Sequence, residues 1–321
     1  MAPTKLPDEF TLIARYFRPL TGGKEAALNL ADDAALLDVP AGYRLVVTAD
    51  ALVAGVHFFA EDAPDLIARK MLRVNLSDLA AMAAVPLGYV MTCAFPKTVD
   101  QTWLSGFVAG LARDQAEYGI TLLGGDTTAT PGPLTLSVTA FGTVETGREM
   151  RRSGAKAGDL IAVSGTIGDS ALGLARLQGK IAGFMGDDEL IERYLLPQPR
   201  LAVARRLIGL ATAGMDISDG LVGDLSHICN ASHLSAVLEA AKIPLSKPAR
   251  HLLAEHPELL ATVLTGGDDY ELLFTLPASR RSELKGLPVT VIGRMEAGQG
   301  TTVVDAEGRT IDAGKGGYRH F

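Results

Sequence analysis

Acidic residues in this chain gather where β-like runs give out. Asp32-Asp33 precedes an apolar run, and Asp50 follows Leu45-Val46-Val47-Thr48-Ala49. Asp78 lies in Asn75-Leu76-Ser77-Asp78-Leu79, and Asp126 follows Leu122-Leu123-Gly124-Gly125. Asp216 and Asp219 bracket Ile217-Ser218, and Asp268-Asp269 follows Thr265-Gly266-Gly267. Strand ends are where α/β folds put ligand sites. Carboxylates converging there repel one another unless cations lie between them. The pattern points to several hard metal ions, and hard ions in such a setting point to phosphate chemistry.

Taken singly, each Asp-Gly or Gly-Asp is an ordinary cap or turn. Asp219-Gly220 before Leu221 reads as an N-cap, and Asp169 does too. Number and company carry the argument. Gly-Gly-Asp occurs at 124–126 and again at 266–268, each time beside a β-like run. Asp216 and Asp219 straddle Ser218, so both can face one ion. His57, between apolar residues, reads more readily as a packed histidine than as a functional one. Arg152, in Arg151-Arg152-Ser153-Gly154, reads equally as a surface residue or as a phosphate clamp. His227, His233, His251 and His256 carry no assignment.

The usual nucleotide signatures fail. Thr21-Gly22-Gly23-Lys24-Glu25 lacks the first glycine of a P-loop, and Glu25 stands where Ser or Thr must ligate magnesium. No Gly-x-Gly-x-x-Gly follows a strand, and protein-kinase motifs are absent. An ATP site here would hold the phosphates through metal ions and backbone amides.

The elements that must position these residues alternate in the first half. Strands are predicted over 43–49, 89–95, 120–123 and 134–142. Helices are predicted over 65–84, with Asp65 as N-cap, and over 103–118. On the first of these helices Asn75 and Asp78 share a face. Strands in quantity with few crossover helices predict a mixed sheet with helices on one side. A glycine- and arginine-rich connection over 145–158 marks a boundary. Beyond it, strands are predicted over 160–164, 236–239, 271–276 and 289–292. Helices are predicted from about Asp169 and over 188–195, 200–211 and 221–231.

Composition bounds the rest. The chain has 321 residues, 47% hydrophobic and 21% charged, with 35 glycines, enough for two α/β cores. A net charge of -7 with scattered basic residues argues against a nucleic-acid partner. Cys93 and Cys229 form neither a metal spacing nor a disulfide framework, which suits a reducing compartment. Met1-Ala2-Pro3-Thr4-Lys5 has no apolar signal core, and the apolar stretch 79–90 is short and contains Pro86. A cytoplasmic protein, not associated with membrane, is expected.

Read in order, the motifs resemble the thiamine-monophosphate kinase family, within the aminoimidazole ribonucleotide synthetase superfamily. The resemblance is collinear from end to end. It is carried by Phe10-Thr11-Leu12-Ile13-Ala14-Arg15, Asp32-Asp33-Ala34-Ala35-Leu36-Leu37, the segments 50–58 and 75–82, and Gly124-Gly125-Asp126-Thr127-Thr128. Arg152-Ser153-Gly154-Ala155-Lys156, the segments 216–221 and 266–272, and Gly317-Tyr318-Arg319-His320-Phe321 complete it. The resemblance implies ATP-dependent phosphorylation of thiamine monophosphate to thiamine diphosphate, assisted by several Mg²⁺ ions. It implies an α/β protein with α+β character. An N-terminal domain over 1–147 would bind metal and ATP and pair its mixed sheet across a homodimer. A C-terminal α/β domain over 148–321 would close the active site.

Roles follow from the same resemblance. Asp33, Asp50, Asp78, Asp126 and Asp216 match magnesium ligands, as does the acidic position Asp219, and Thr48 and Ala49 match strand positions that reach metal. Gly125, Asp126, Arg152 and Ser218 match ATP contacts, with Asp126 and Arg152 expected to be catalytic. His57, Asp268 and Tyr318 match contacts to the thiamine substrate. Three positions depart from the family pattern. Leu28-Asn29-Leu30-Ala31 stands where glycines are usual, Ala49 lacks a hydroxyl, and Asp268 replaces a common glutamate. A selenophosphate synthetase would need a reactive cysteine near the N-terminus, and the hydrogenase-maturation member a C-terminal cysteine. This chain has neither.

Overall fold

The structure, a computed structural model, describes residues 6–312. The chain divides into two compact units. The first takes the described residues up to Leu79 together with Ala84–Thr146, and the second takes Ala80–Ala83 and the described residues from Gly147 onward.

The first unit is one four-stranded sheet with helices. Its strands are β1 (Tyr43–Val53), β2 (Val85–Pro96), β3 (Leu122–Thr130) and β4 (Thr135–Glu145), in the order β1-β4-β2-β3. Its helices are α1 (Glu9–Leu12), α2 (Pro64–Ala81) and α3 (Gln101–Tyr118). β2 and β3 run parallel, which demands a crossover, and α3 supplies it; the other pairs are antiparallel. α3 starts where Asp100 accepts the Trp103 amide at 2.8 Å and stops at left-handed Gly119. α2 and α3 approach closely at Gly110, where a Cβ would sit 2.4 Å from the Asp65 carbonyl oxygen. The buried Arg73 and Asp114 pair at 2.7 Å across the same contact. Along β1 exposure alternates, with Tyr43, Leu45, Val47, Ala49 and Ala51 outward and Val46, Thr48 and Asp50 more covered.

Two differences from the sequence reading bear on chemistry. β1 continues through Asp50, and β3 continues through Gly-Gly-Asp, so Asp50 and Asp126 lie within strands rather than past their ends. Pairing is the reason. Every residue of β1 has a partner on β4, and β3 holds register with β2 from Val90/Gly124 to Pro96/Thr130. α2 begins at Pro64, placing Asp65 inside its first turn, and ends at Ala81, before left-handed Ala83.

The second unit holds a seven-stranded sheet built from β5 (Leu160–Ser164), β6 (Ala213–Asp216), β7 (Ser235–Glu239), β8 (Leu272–Leu276), β9 (Val289–Glu296), β10 (Gly300–Val304) and β11 (Thr310–Ile311). Their order is β11-β10-β7-β9-β5-β8-β6, with β7 and β10 parallel and the remaining pairs antiparallel. The helices are α4 (Asp169–Leu177), α5 (Asp187–Leu195), α6 (Leu201–Leu207), α7 (Leu221–Ser232), α8 (Lys247–Glu255) and α9 (Leu260–Thr265). Both faces are buried. On β5, Ile161 and Val163 enter a core with Leu172, Leu225 and Val263, while Ala162 enters another with Val203, Leu207 and Phe274. That two-sided burial explains why β5 reads as a continuous apolar run. Among the described residues no helix is long and apolar enough to cross a membrane.

Candidate active site

In the first unit a cavity of about 390 Å³ opens beside β3, with Asp32, Asp33, Gly125, Asp126 and Thr127 in its wall. Gly125 has φ +153°, and a Cβ there would lie 1.9 Å from the Met91 carbonyl oxygen. Only glycine lets β3 pass so close to β2. The segment leading to the paired aspartates reverses through three consecutive left-handed residues, Leu28, Asn29 and Leu30, with φ of 47°, 57° and 52°. The backbone conformation that glycine favours is thus adopted here by residues with side chains, each at about 1–2 kcal/mol.

Thr48, Asp50 and Asp78 form a second group. Thr48 Oγ1 donates to Asp78 Oδ2 at 2.5 Å, joining β1 to α2. Burial, and then the charge of Asp78, push the Asp50 carboxyl up to about 6. The donors are hard oxygens, and their mutual repulsion is what a divalent cation would relieve, so the group fits magnesium. Ala49 points to the opposite, exposed face of β1.

Sheet register separates Asp126 from this group. Asp126 pairs with Thr92, Thr92 with Ser137, and Ser137 with Ala51. Asp50 belongs to the neighbouring row, with Val138, Met91 and Gly125. Register sets the two residues one row apart in the sheet, with the irregular backbone of Gly125 between the rows. The structure brings Asp33 together with Asp126, and Thr48 and Asp50 with Asp78. Among the described residues no three His, Cys, Asp or Glu side chains form one metal-holding group. Just past β1, the Val53 amide donates to His57 Nδ1 at 3.0 Å, which puts the proton of the neutral ring on Nε2.

In the second unit Asp216 closes β6, nearly buried, and Ser218 and Asp219 follow it. The expected cap role of Asp219 is not what the structure shows. The N-cap of α7 is Gly220, without a side-chain bond. Asp224, in the first helical turn, accepts the Ser218 and Asp219 amides, each at 3.0 Å. A carboxylate reaching back from inside the helix satisfies amides that a preceding side chain would otherwise cap. Burial pushes Asp224 up to about 7. Asp169 is likewise inside α4, after left-handed Gly168. It accepts from Thr166 Oγ1 at 2.5 Å and Ser246 Oγ at 2.6 Å.

Asp268 sits over the same turn, its amide donating to the Ser218 carbonyl at 2.8 Å. Arg152 is exposed on a segment tied down by Ser232 Oγ, which donates to the Arg152 carbonyl at 3.4 Å. Tyr318 lies outside the described residues. Sequence reasoning missed Asp224, Tyr270 and Glu271, whose only signal was proximity to the acidic motifs.

Comparison with known proteins completes the picture. The AIR synthase related protein N-terminal domain family matches residues 31–144, and the corresponding C-terminal domain family matches 156–306. A thiamine-monophosphate kinase from Caulobacter vibrioides is 42% identical over 98% of this chain and 91% of its own length. The chain belongs to the thiamine-monophosphate kinase family. The fold of this kinase family agrees. The crystal structure of the thiamine-monophosphate kinase from Stenotrophomonas maltophilia superposes with a TM-score of 0.84 at 41% identity, covering 95% of this chain and 98% of that one. AaThiL complexed with AMPPCP and TMP superposes with a TM-score of 0.80 at 31% identity, covering 98% and 97%.

Proposed function

We propose that this protein transfers the γ-phosphoryl group of ATP directly to thiamine monophosphate, releasing ADP and thiamine diphosphate. The observation that carries the reading is the 31% identical, full-length structural match to a protein bound to AMPPCP, an ATP analogue, and TMP. One P–O bond breaks, between the γ-phosphorus and the β,γ-bridging oxygen. One forms, to a phosphate oxygen of the acceptor. That oxygen is already anionic near neutral pH, so no strong general base is needed and none is assigned.

The demand is to align two polyanions and screen their repulsion. Asp33, Asp50, Asp78, Asp126, Asp216 and Asp219, with Thr48 and the backbone of Ala49, would hold Mg²⁺. When bound, Mg²⁺ neutralises phosphate charge and fixes phosphate geometry. Gly125, with no side chain over the strand, leaves backbone open to the nucleotide phosphates, and Ser218 offers a second contact. Arg152 supplies a guanidinium fork to the transferring group. His57 Nε2–H, the Asp268 carboxylate and Tyr318 are assigned as contacts to the thiamine substrate. No phosphoenzyme forms. The first unit carries metal, ATP and dimerisation functions, the second covers the substrates, and the enzyme works in the cytoplasm. A homodimer forms through the outward face of the first sheet, whose β1 exposes Tyr43, Leu45 and Val47.

Incubation of purified protein with ATP, Mg²⁺ and thiamine monophosphate, followed by chromatography of thiamine phosphates, tests this. Thiamine diphosphate should appear with ADP and vanish with EDTA. ATP binding without product would instead make the protein a nucleotide binder. A trapped covalent phosphoprotein would remove direct transfer.

A further inference from the structure

The motif Asp268-Asp269-Tyr270-Glu271 is divided between anchors and outward groups. Asp269 and Glu271 are 3% and 0% exposed, whereas Asp268 and Tyr270, which alternate with them, are half-buried. Both anchors are hydrogen-bonded. The single Gly168 amide is shared between the two Asp269 oxygens, at 3.0 and 2.9 Å. Glu271 accepts from Ser164 Oγ at 2.5 Å, from Arg193 Nη2 at 2.6 Å and from Arg200 Nε at 2.6 Å. The backbone is pinned as well. Asp268 N–H donates to the Ser218 carbonyl and Tyr270 N–H to the Ile217 carbonyl, each at 2.8 Å. Gly267 packs so closely that a Cβ would sit 2.1 Å from the Ser218 carbonyl oxygen.

Within this frame Asp268 and Tyr270 both hold left-handed φ, at +66° and +52°. Side-chain-bearing residues adopt that region at a cost, and such strain persists where surrounding contacts over-determine it and where a side chain must be aimed. Here the aim is visible. The Tyr270 hydroxyl donates to Asp268 Oδ1 at 3.2 Å. Phenol and carboxylate form one unit, with Oδ1 occupied and the carboxylate plane set by its partner.

We propose that Tyr270 is a positioning residue for the acceptor substrate, aiming the Asp268 carboxylate. This rests on the reading in which Asp268 contacts the thiamine moiety, whose thiazolium ring is cationic. The aspartate side chain is short, so its carboxylate has little reach to adjust to a ligand, and a fixed orientation compensates for that. Neither the Asp268 nor the Tyr270 side chain is assigned to the nucleotide, so the effect is expected on one substrate.

The test is a kinetic double-mutant cycle with Tyr270→Phe and Asp268→Asn in the full chain, with melting curves recorded first. Tyr270→Phe keeps the ring and loses only the hydroxyl. It should melt with wild type and raise KM for thiamine monophosphate about tenfold, as for loss of a hydrogen bond to a charged group. KM for ATP should stay within about twofold, a split that general loosening of the fold would not give. Asp268→Asn should raise the same KM at least as much, and the double variant should add little to it. An unchanged KM in Tyr270→Phe, or two effects that multiply in the double variant, overturns the inference. Should Tyr270→Phe melt early, a KM for ATP that rises in parallel with that for thiamine monophosphate also overturns it. Wild-type protein that turns over no thiamine monophosphate overturns the reading of the site, and this inference with it.

Discussion

At Asp50 two demands on one carboxylate conflict. Its strand presses it towards α2, where Asp78 already carries charge, and burial and that neighbour both favour the neutral acid. A site arranged for a cation stores repulsion when the cation is away, a common exchange of stability for function. Asp50→Asn removes the repulsion at the position where an ion would be held. Without magnesium at pH 8, the variant should therefore melt above wild type. On adding Mg²⁺ it should gain less than wild type does, since the ligand that couples binding to stability is gone. Calorimetric melts with EDTA and with excess Mg²⁺ check both signs. A variant that melts below wild type in EDTA would show that Asp50 is satisfied by protein partners alone. His57 shows a gentler version of residue-scale control. One backbone amide on Nδ1 settles the tautomer and hence which ring nitrogen can donate.

At the scale of elements, β3 is the informative case. Its sequence, Leu-Leu-Gly-Gly-Asp-Thr-Thr-Ala-Thr, reads as a short strand followed by a turn, yet it runs nine residues in parallel with β2. The parallel ladder and the absence of a side chain at Gly125 hold it there. Gly125→Ala would drive a methyl into the Met91 carbonyl and require a φ that alanine resists. We expect a loss of about 2 kcal/mol or more in urea unfolding, from the backbone mechanism rather than from any lost contact. Turnover should fall beyond what the unfolded fraction explains, because Asp126 is the next residue. Wild-type stability in this variant would mean that β2 and β3 separate freely at this point. The run Leu28–Leu30 makes the same point from the other side, as residues with side chains trace a left-handed path without glycine.

At the scale of the molecule, buried charge and open surface make separate predictions. Asp269 is buried beside Asp169 and Glu271, and burial holds its carboxyl well above the ordinary 3.8, against the opposing pull of the Gly168 amide and Arg193. A carboxyl raised in the folded state binds its proton more tightly there than in the unfolded chain. The unfolded state then holds fewer protons between 3.8 and the folded value, so stability falls as pH rises through that window. Asp269→Asn cannot titrate. The melting temperature of wild type relative to this variant should therefore decline as pH is raised from about 4. A constant offset between the two would show that Asp269 has no raised affinity for its proton. The outward face of β1 makes the second prediction. Val47 is 54% exposed within a row of apolar neighbours. If that row is a dimer contact, Val47→Lys places a charge in it and should convert a dimer to a monomer by sedimentation, with the fold retained by circular dichroism. A wild-type monomer would remove the contact.

Much of this protein was legible in one dimension because its signals are local. Alternation and helical spacing located most strands and the long helices. The order of motifs identified the family, since residue type and sequence order survive without coordinates. α1, β6, α8, α9, β10 and β11 were not anticipated, being short or weakly patterned. What sequence alone determined was the inventory, namely which carboxylates, glycines and arginines exist and in which order. Only tertiary structure decided their grouping. Register set Asp126 and Asp50 in neighbouring rows of one sheet, because pairing joins segments tens of residues apart. Burial turned Asp224, Asp269 and Glu271 into anchors, a distinction invisible among many aspartates and glutamates, because desolvation and hydrogen-bond partners come from segments distant in the chain.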